Sequence, residues 1–204
     1  MTYRESETTI DLLRHGEPVG GERFRGTLDD PLSSEGWIQM QNAVAGCMAW
    51  EVVVTSPMRR CAEFAQTVAK QLAIPLEIDP RFREMSFGTW EGYTGQELLR
   101  TDQERIMQFW QNPWLFPPPG GEHLQDLRMR VEQGWQELEQ RFWGGHLLLV
   151  AHGGVIRMIL ALVLKIPLEH LSRITVPYAA LSRIRIDRVG TDTLPRLIFH
   201  NGRP

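Results

Sequence analysis

Two histidines in this chain each stand between an apolar run and a glycine, in Leu12-Leu13-Arg14-His15-Gly16 and in Val150-Ala151-His152-Gly153-Gly154. A third apolar run, EVVVT, passes into Ser56-Pro57-Met58-Arg59-Arg60, and a weaker fourth leads through Arg83 to Glu84. Imidazoles, guanidinium groups and a carboxylate are the side chains that phosphoryl transfer needs. A phosphomonoester is a dianion whose peripheral oxygens must be held while phosphorus moves, and planar guanidinium forks meet them with paired donors. A neutral imidazole can attack phosphorus in line, and a second can donate to a peripheral oxygen. A carboxyl group of raised pKa can protonate the leaving alkoxide, then serve as base for the water that attacks the phosphohistidine. Glycine after each histidine lets backbone N–H groups approach an anion closely. That much fixed positive charge makes a metal unnecessary, and nothing in the pattern calls for a cofactor.

The elements that must position these groups alternate between strand and helix. TIDLLRH, EVVVTSP, PLEIDP and HLLLVAHGG read as strands, and the last lacks polar alternation, as expected when helices cover both faces. Between them, Trp37, Met40, Val44, Cys47 and Met48 recur at helical spacing behind Ser33, a candidate cap. Cys61, Phe64, Ala65, Val68 and Leu72 mark a second helix, and a third is expected from Thr94 to Trp110. QNPWLFPPPGGE is irregular, since consecutive prolines lack backbone donors. Leu124, Leu127, Val131, Trp135, Leu138 and Phe142 form the clearest helical stripe, and VIRMILALVL a buried helix. LSRIRID and RLIFH flank the turn-like VGTDTLP as an antiparallel pair. The pattern predicts an α/β fold, a three-layer α/β/α sandwich with a mostly parallel central sheet, whose ligands gather at the carboxyl ends of the strands.

With 204 residues, 42% hydrophobic and 23% charged, the chain is expected to form a single globular domain over 1–204, with a polar tail at 1–8. A net charge of −3 offers no broad attraction to nucleic acid or to an anionic membrane. No secretory signal and no run of membrane-spanning length is visible, so a cytoplasmic location is expected. Cys47 and Cys61 fall in apolar helical patterns and read as buried free thiols. The absence of a GxxxxGK[ST] loop, of a GxSxG elbow and of HEXXH or Cys/His clusters argues against nucleotide P-loops, α/β-hydrolase chemistry and zinc. The sequence leaves both a monomer and a homodimer open.

LLRHGEP, RGTLDDPLSSEGW, SPMRR, REMSFGTWEG, PPGGE and VAHGGVIR, in that order, resemble the signatures of the histidine phosphatase superfamily, the phosphoglycerate mutase-like family. The resemblance implies a phosphoglycerate mutase-like fold and a phosphatase. It implies His15 as nucleophile, Arg14, Arg60 and His152 on the phosphate, and Glu84 as general acid. It also places Arg25, Gly26 and Gly153 against substrate or phosphate. Pro18 and Gly20-Gly21 depart from the family's usual Thr/Ser and Asn, which puts mutase activity in doubt, and Phe64 replaces a usual Thr. The GEPVGG loop and PPPGGE resemble most the α-ribazole phosphatase branch, which implies a small phosphorylated metabolite as partner and a place in cobalamin biosynthesis. A phosphoglycerate mutase-type isomerase, or a phospho-ligand binder without catalysis, are the competing functions. Only Arg100 and Arg105 supply basic charge between Glu84 and PPPGG, which weighs against the mutase.

The remaining candidates have ordinary readings. His123, His146, His170 and His200 read as structural or exposed, Arg59 as the solvated neighbour of Arg60, and Glu91 as a residue that stabilises its loop. Glu84 could instead pair with Arg83. Glu122 is assigned to the dipole of the helix that follows it rather than to a substrate clamp. For Trp110, Trp114 and Phe116, pocket lining and packing stand level.

Overall fold

The computed structural model describes residues 7–47, 49–189 and 192–202. Four parallel strands form its centre: β1 (Thr8–Arg14), β2 (Val52–Thr55), β3 (Leu76–Ile78) and β4 (His146–Ala151). Two further strands, β5 (Leu181–Val189) and β6 (Asp192–His200), pair antiparallel and join the sheet against β1. The strand order is β3-β2-β4-β1-β5-β6. Thr8, expected in the tail, is the first residue of β1, and its hydroxyl accepts from Gly144 N at 2.9 Å. The rest of that tail, Met48 and the centre of VGTDTLP lie outside the described residues.

The unbroken apolar runs follow from burial on both faces. Leu147, Leu149 and Ala151 of β4 pack with α5 (Leu124–Arg141) and α6 (Gly153–Leu164) on one side. Leu148 and Val150 pack on the other, with α1 (Ser34–Ala43) and α2 (Arg59–Leu72). This is the expected three-layer sandwich. Phe64 serves packing, its ring 5.6 Å from that of Trp37.

Two helices differ from expectation. Ser33 caps α1 as predicted, its Oγ accepting from Gly36 N at 3.0 Å, but the helix ends at Ala43. Gly46 lies at φ +84, a conformation that costs glycine little and ends the helical path before Cys47. The segment expected as one helix is two, α3 (Gly95–Thr101) and α4 (Gln103–Gln111). They are parted at Asp102, whose φ is −147 and whose carboxylate accepts from Trp90 Nε1 at 2.9 Å. That tertiary hydrogen bond holds Asp102 outside helical geometry, where it becomes the N-terminal flanking residue of α4.

Candidate active site

The carboxyl ends of the central strands lie in register, and that register brings the sequence candidates together. His15 N donates to Ala151 O at 3.0 Å and Ser56 N to Val150 O at 3.0 Å, so β1, β2 and β4 end side by side. Arg14 and His15 leave β1, Arg60 lies in the first turn of α2, and His152 stands immediately before α6. Glu84 comes from an irregular segment beyond β3. Arg14, His15, Arg25, Gly26, Arg60, Glu84 and Gly153 line one cavity of about 340 Å³. His152 is not on its surface; it lies fully buried behind it, its ring 5.2 Å from that of His15.

Local geometry fixes both imidazoles. His15 Nδ1 is 2.8 Å from the carbonyl of Gly16, so that nitrogen carries the proton and Nε2 keeps its lone pair. Burial, with the Arg14 and Arg60 guanidinium groups beside it, holds the His15 imidazole well below its ordinary pKa, hence neutral. Burial and the cation of Arg60 do the same to His152. Arg60 Nε donates to His152 Nδ1 at 3.3 Å, leaving the ring proton on Nε2, 2.7 Å from Ser56 Oγ.

Arg14 and Arg60 are held by main-chain carbonyls rather than by carboxylates, whereas Arg25 also meets the carboxylate of Asp30. Arg60 gives Nη1 to Leu28 O at 2.7 Å and Nη2 to Gly26 O at 3.1 Å, which ties the loop before α1 to the cavity. Gly26 lies at φ +50, and a Cβ there would stand 2.1 Å from Glu91 Oε1. Arg25 donates to Asp30 at 3.0 Å and to Val19 O at 2.8 Å. Arg14 donates Nη1 to Val176 O at 2.5 Å and lies over the Tyr178 ring, 4.2 Å from its centroid. Its Nε is buried with no hydrogen-bond partner.

Of the two glycines after His152, Gly154 has a steric reason: a Cβ there would lie 2.5 Å from Glu84 Oε1, whereas one at Gly153 would make an ordinary contact with Arg14 Nε at 3.4 Å. The absence of a side chain at Gly154 therefore lets Glu84 close on the start of α6. Glu84 Oε2 accepts from Gly154 N at 3.2 Å and Oε1 from Met85 N at 3.0 Å. Among the described residues, Arg83 makes no ion pair with it.

The ordinary readings are also resolved. Arg59 pairs with Glu63 at the surface, 2.7 Å away, and both cysteines are buried free thiols. Glu91 accepts from Thr27, Ser86 and Phe87, knitting two loops. His146 bonds buried Asp11 at 2.9 Å, and His200 bonds Ser182 and Thr175 O. Trp110 lines the cavity, Trp114 packs on the core, and Phe116 does neither, being 41% exposed. Glu122 is neither clamp nor simple dipole partner: it binds Arg130 through both oxygens, at 2.7 and 2.8 Å.

Sequence reasoning gave no role to Arg157 and Tyr178, which also line the cavity. Arg157 lies four residues beyond Gly153, hence on the same face of α6, a spacing that could have revealed it. Its Nε donates to Ile174 O at 2.7 Å. Tyr178 follows a 3₁₀ turn, and no periodicity marks it. Among the described residues, no group of three His, Cys, Asp or Glu side chains is arranged to hold a metal ion.

An α/β sheet whose strand ends converge neutral imidazoles and arginines on one cavity defines a class of anion-handling protein. Residues 10–195 match the model of the histidine phosphatase superfamily (branch 1), and the chain belongs to that family. It is 34% identical over 205 residues to the bifunctional protein Rv2228c of Mycobacterium tuberculosis, covering 98% of this chain and 56% of that protein. The chain thus spans about half the length of the first curated relatives it matches. It is 29% identical over 182 residues to the adenosylcobalamin/alpha-ribazole phosphatase of Escherichia coli K12, covering 87% and 89%. The solved structure of mycobacterial glucosyl-3-phosphoglycerate phosphatase with VO3 superposes with a TM-score of 0.83 at 27% identity, covering 94% and 97%. The fold is therefore the phosphoglycerate mutase-like one expected. Among the described residues, no helix is long and apolar enough to cross a membrane.

Proposed function

We propose that the protein is a cytoplasmic, metal-independent phosphatase that hydrolyses a small phosphomonoester through a phosphohistidine on His15. The observation that carries this reading is the neutral His15, its Nδ1 committed to Gly16 O, standing with Arg14, Arg60 and Glu84 around one cavity. Two guanidinium groups beside a neutral imidazole favour a dianionic phosphoryl group there. In the first step His15 Nε2 forms a bond to phosphorus as the ester P–O bond breaks. Glu84 gives its proton to the departing alkoxide. In the second step Glu84 takes a proton from water, which attacks phosphorus, releases inorganic phosphate and restores the neutral imidazole. Arg14 and Arg60 balance the charge on the peripheral oxygens, and the neutral His152, buried behind the cavity, would donate its Nε2–H to one of them on turning from Ser56 Oγ, while Gly153 lies at the cavity wall beside them. Arg25 and Gly26 close the loop side.

The cavity lining also includes Phe24, Phe87, Phe109 and Trp110, with rings of Phe24 and Phe87 4.9 Å apart. An aromatic wall suits an alcohol that carries a flat ring. Together with the likeness to the Escherichia coli relative, it supports α-ribazole 5′-phosphate as substrate, hence a step in cobalamin biosynthesis.

Release of inorganic phosphate in EDTA tests this, across α-ribazole phosphate, glucosyl-3-phosphoglycerate, 3-phosphoglycerate, sugar phosphates and nucleotides. The expected result is full activity without metal and the highest kcat/KM for α-ribazole phosphate. Preference for another ester would keep the chemistry and discard the substrate. Loss of activity in EDTA would discard the metal-free mechanism. Phosphoglycerate interconversion, or tight binding without turnover, would favour the mutase or the binder instead.

A further inference from the structure

Glu84 sits in a segment with no helix or strand of its own, yet its carboxylate must meet one oxygen of a substrate. The backbone on both sides of it is fastened to a single ion pair. Arg130, in the second turn of α5, uses all five of its N–H groups. Nη1 donates to Arg81 O and Arg83 O, each at 2.6 Å, and Nη2 to Glu84 O at 3.2 Å. Its Nε and Nη2 also grip Glu122 Oε1 and Oε2, at 2.7 and 2.8 Å. Glu122 in turn accepts from Ser86 N at 3.3 Å through Oε2, and its own N–H donates to Ser86 O at 2.9 Å. The pair is nearly buried, with side-chain exposures of 13% and 12%. Neither residue lines the cavity.

We propose that Arg130 and Glu122 are positioning residues that set the Glu84 carboxylate against the leaving-group oxygen. The proposal rests on the acid role of Glu84 stated above. Three carbonyls converging on one guanidinium require a planar fork, which an ammonium group cannot reproduce. Arg130→Lys therefore keeps the charge and loosens the clamp. A misplacement of about 1 Å at a reacting group costs about 10²-fold in rate. The loss must appear where protonation of the leaving group matters, and not where departure needs no acid.

The test compares kcat/KM for an alkyl phosphate and for 4-nitrophenyl phosphate, since kcat/KM reports transfer to His15 and excludes the later water step. Assays run well below the measured Tm of every variant. Arg130→Lys is expected to lower kcat/KM for the alkyl ester by about 10- to 100-fold and for the aryl ester by less than about 3-fold. Glu84→Gln should show the same selectivity, and adding Arg130→Lys to it should cost less than about 2-fold more, because coupled groups are not additive. Glu122→Gln, which breaks one arm of the clamp, supplies the same comparison if Arg130→Lys does not fold. Equal slowing of both esters by the clamp variants, or full additivity with Glu84→Gln, would overturn the clamp alone. Equal slowing of both esters by Glu84→Gln would overturn the acid role and the clamp with it.

Discussion

His15 offers a lone pair to the cavity because its other nitrogen is committed to Gly16 O, 2.8 Å away, and because burial among cations keeps the ring neutral. The same neighbours that suppress protonation would stabilise the negative charge of a phosphoryl group, so one arrangement serves nucleophile and ligand. His152 is held differently, between Arg60 Nε and Ser56 Oγ, so its orientation depends on two residues of the SPMRR segment. On the proposed chemistry, His15→Ala lowers turnover by about 10³-fold or more, since no other group at the floor can form the covalent intermediate. Rapid quenching of the wild type with labelled substrate should trap label that survives alkali and is lost in acid, as expected of a phosphoramidate. A variant without His15 should trap none. Label in that variant would place the nucleophile elsewhere.

The elements carry the site by close backbone contact. Gly16, directly after His15, and Gly36, in the first turn of α1, face each other so closely that a Cβ on either would stand 2.1 Å from a main-chain oxygen. Backbone cannot give way as a flexible side chain does. Gly36→Ala should therefore destabilise the fold by about 1–3 kcal/mol and, by displacing the carbonyl that orients His15, reduce kcat as well. Urea unfolding and kcat measured on the same preparation check this, and stability lost with kcat intact would separate α1 from the site. The sequence shows that glycines are present here, not that they touch. Strands were legible because burial on both faces leaves unbroken apolar runs, and the ends of those runs placed Arg14, His15, Arg60 and His152. Helix limits were less so: the break at Asp102 depends on the Trp90 indole, and the end of α1 on Gly46. Arg130 was illegible for a related reason, since the carbonyls it binds lie 46 to 49 residues earlier in the chain.

At the scale of the whole molecule, two buried charge arrangements at different levels of the sheet give stability two separate responses to acid. Asp11, in the middle of β1, is fully buried and accepts from Arg183 at 2.8 Å, from His146 and from Trp50. Burial opposes its ionisation, but those hydrogen bonds outweigh burial and lower its pKa from the usual 3.8. Its contribution is present above the unfolded-state value and is lost as pH falls further. His15 and His152 act sooner. Their folded-state values lie well below 6.5, so between those values and about 6.5 the unfolded chain binds protons that the folded chain does not. Stability must then fall as pH falls, with a slope approaching about 1.4 kcal/mol per pH unit for each histidine. Urea unfolding from pH 7.5 to 5 should show this decline beginning near 6.5. His15→Asn should remove about half of that slope while leaving the further loss below about pH 4 to which Asp11 contributes. A profile flat between pH 6.5 and 5, or a slope untouched by His15→Asn, would mean that these imidazoles accept protons inside the fold. The neutral nucleophile would then be lost with them.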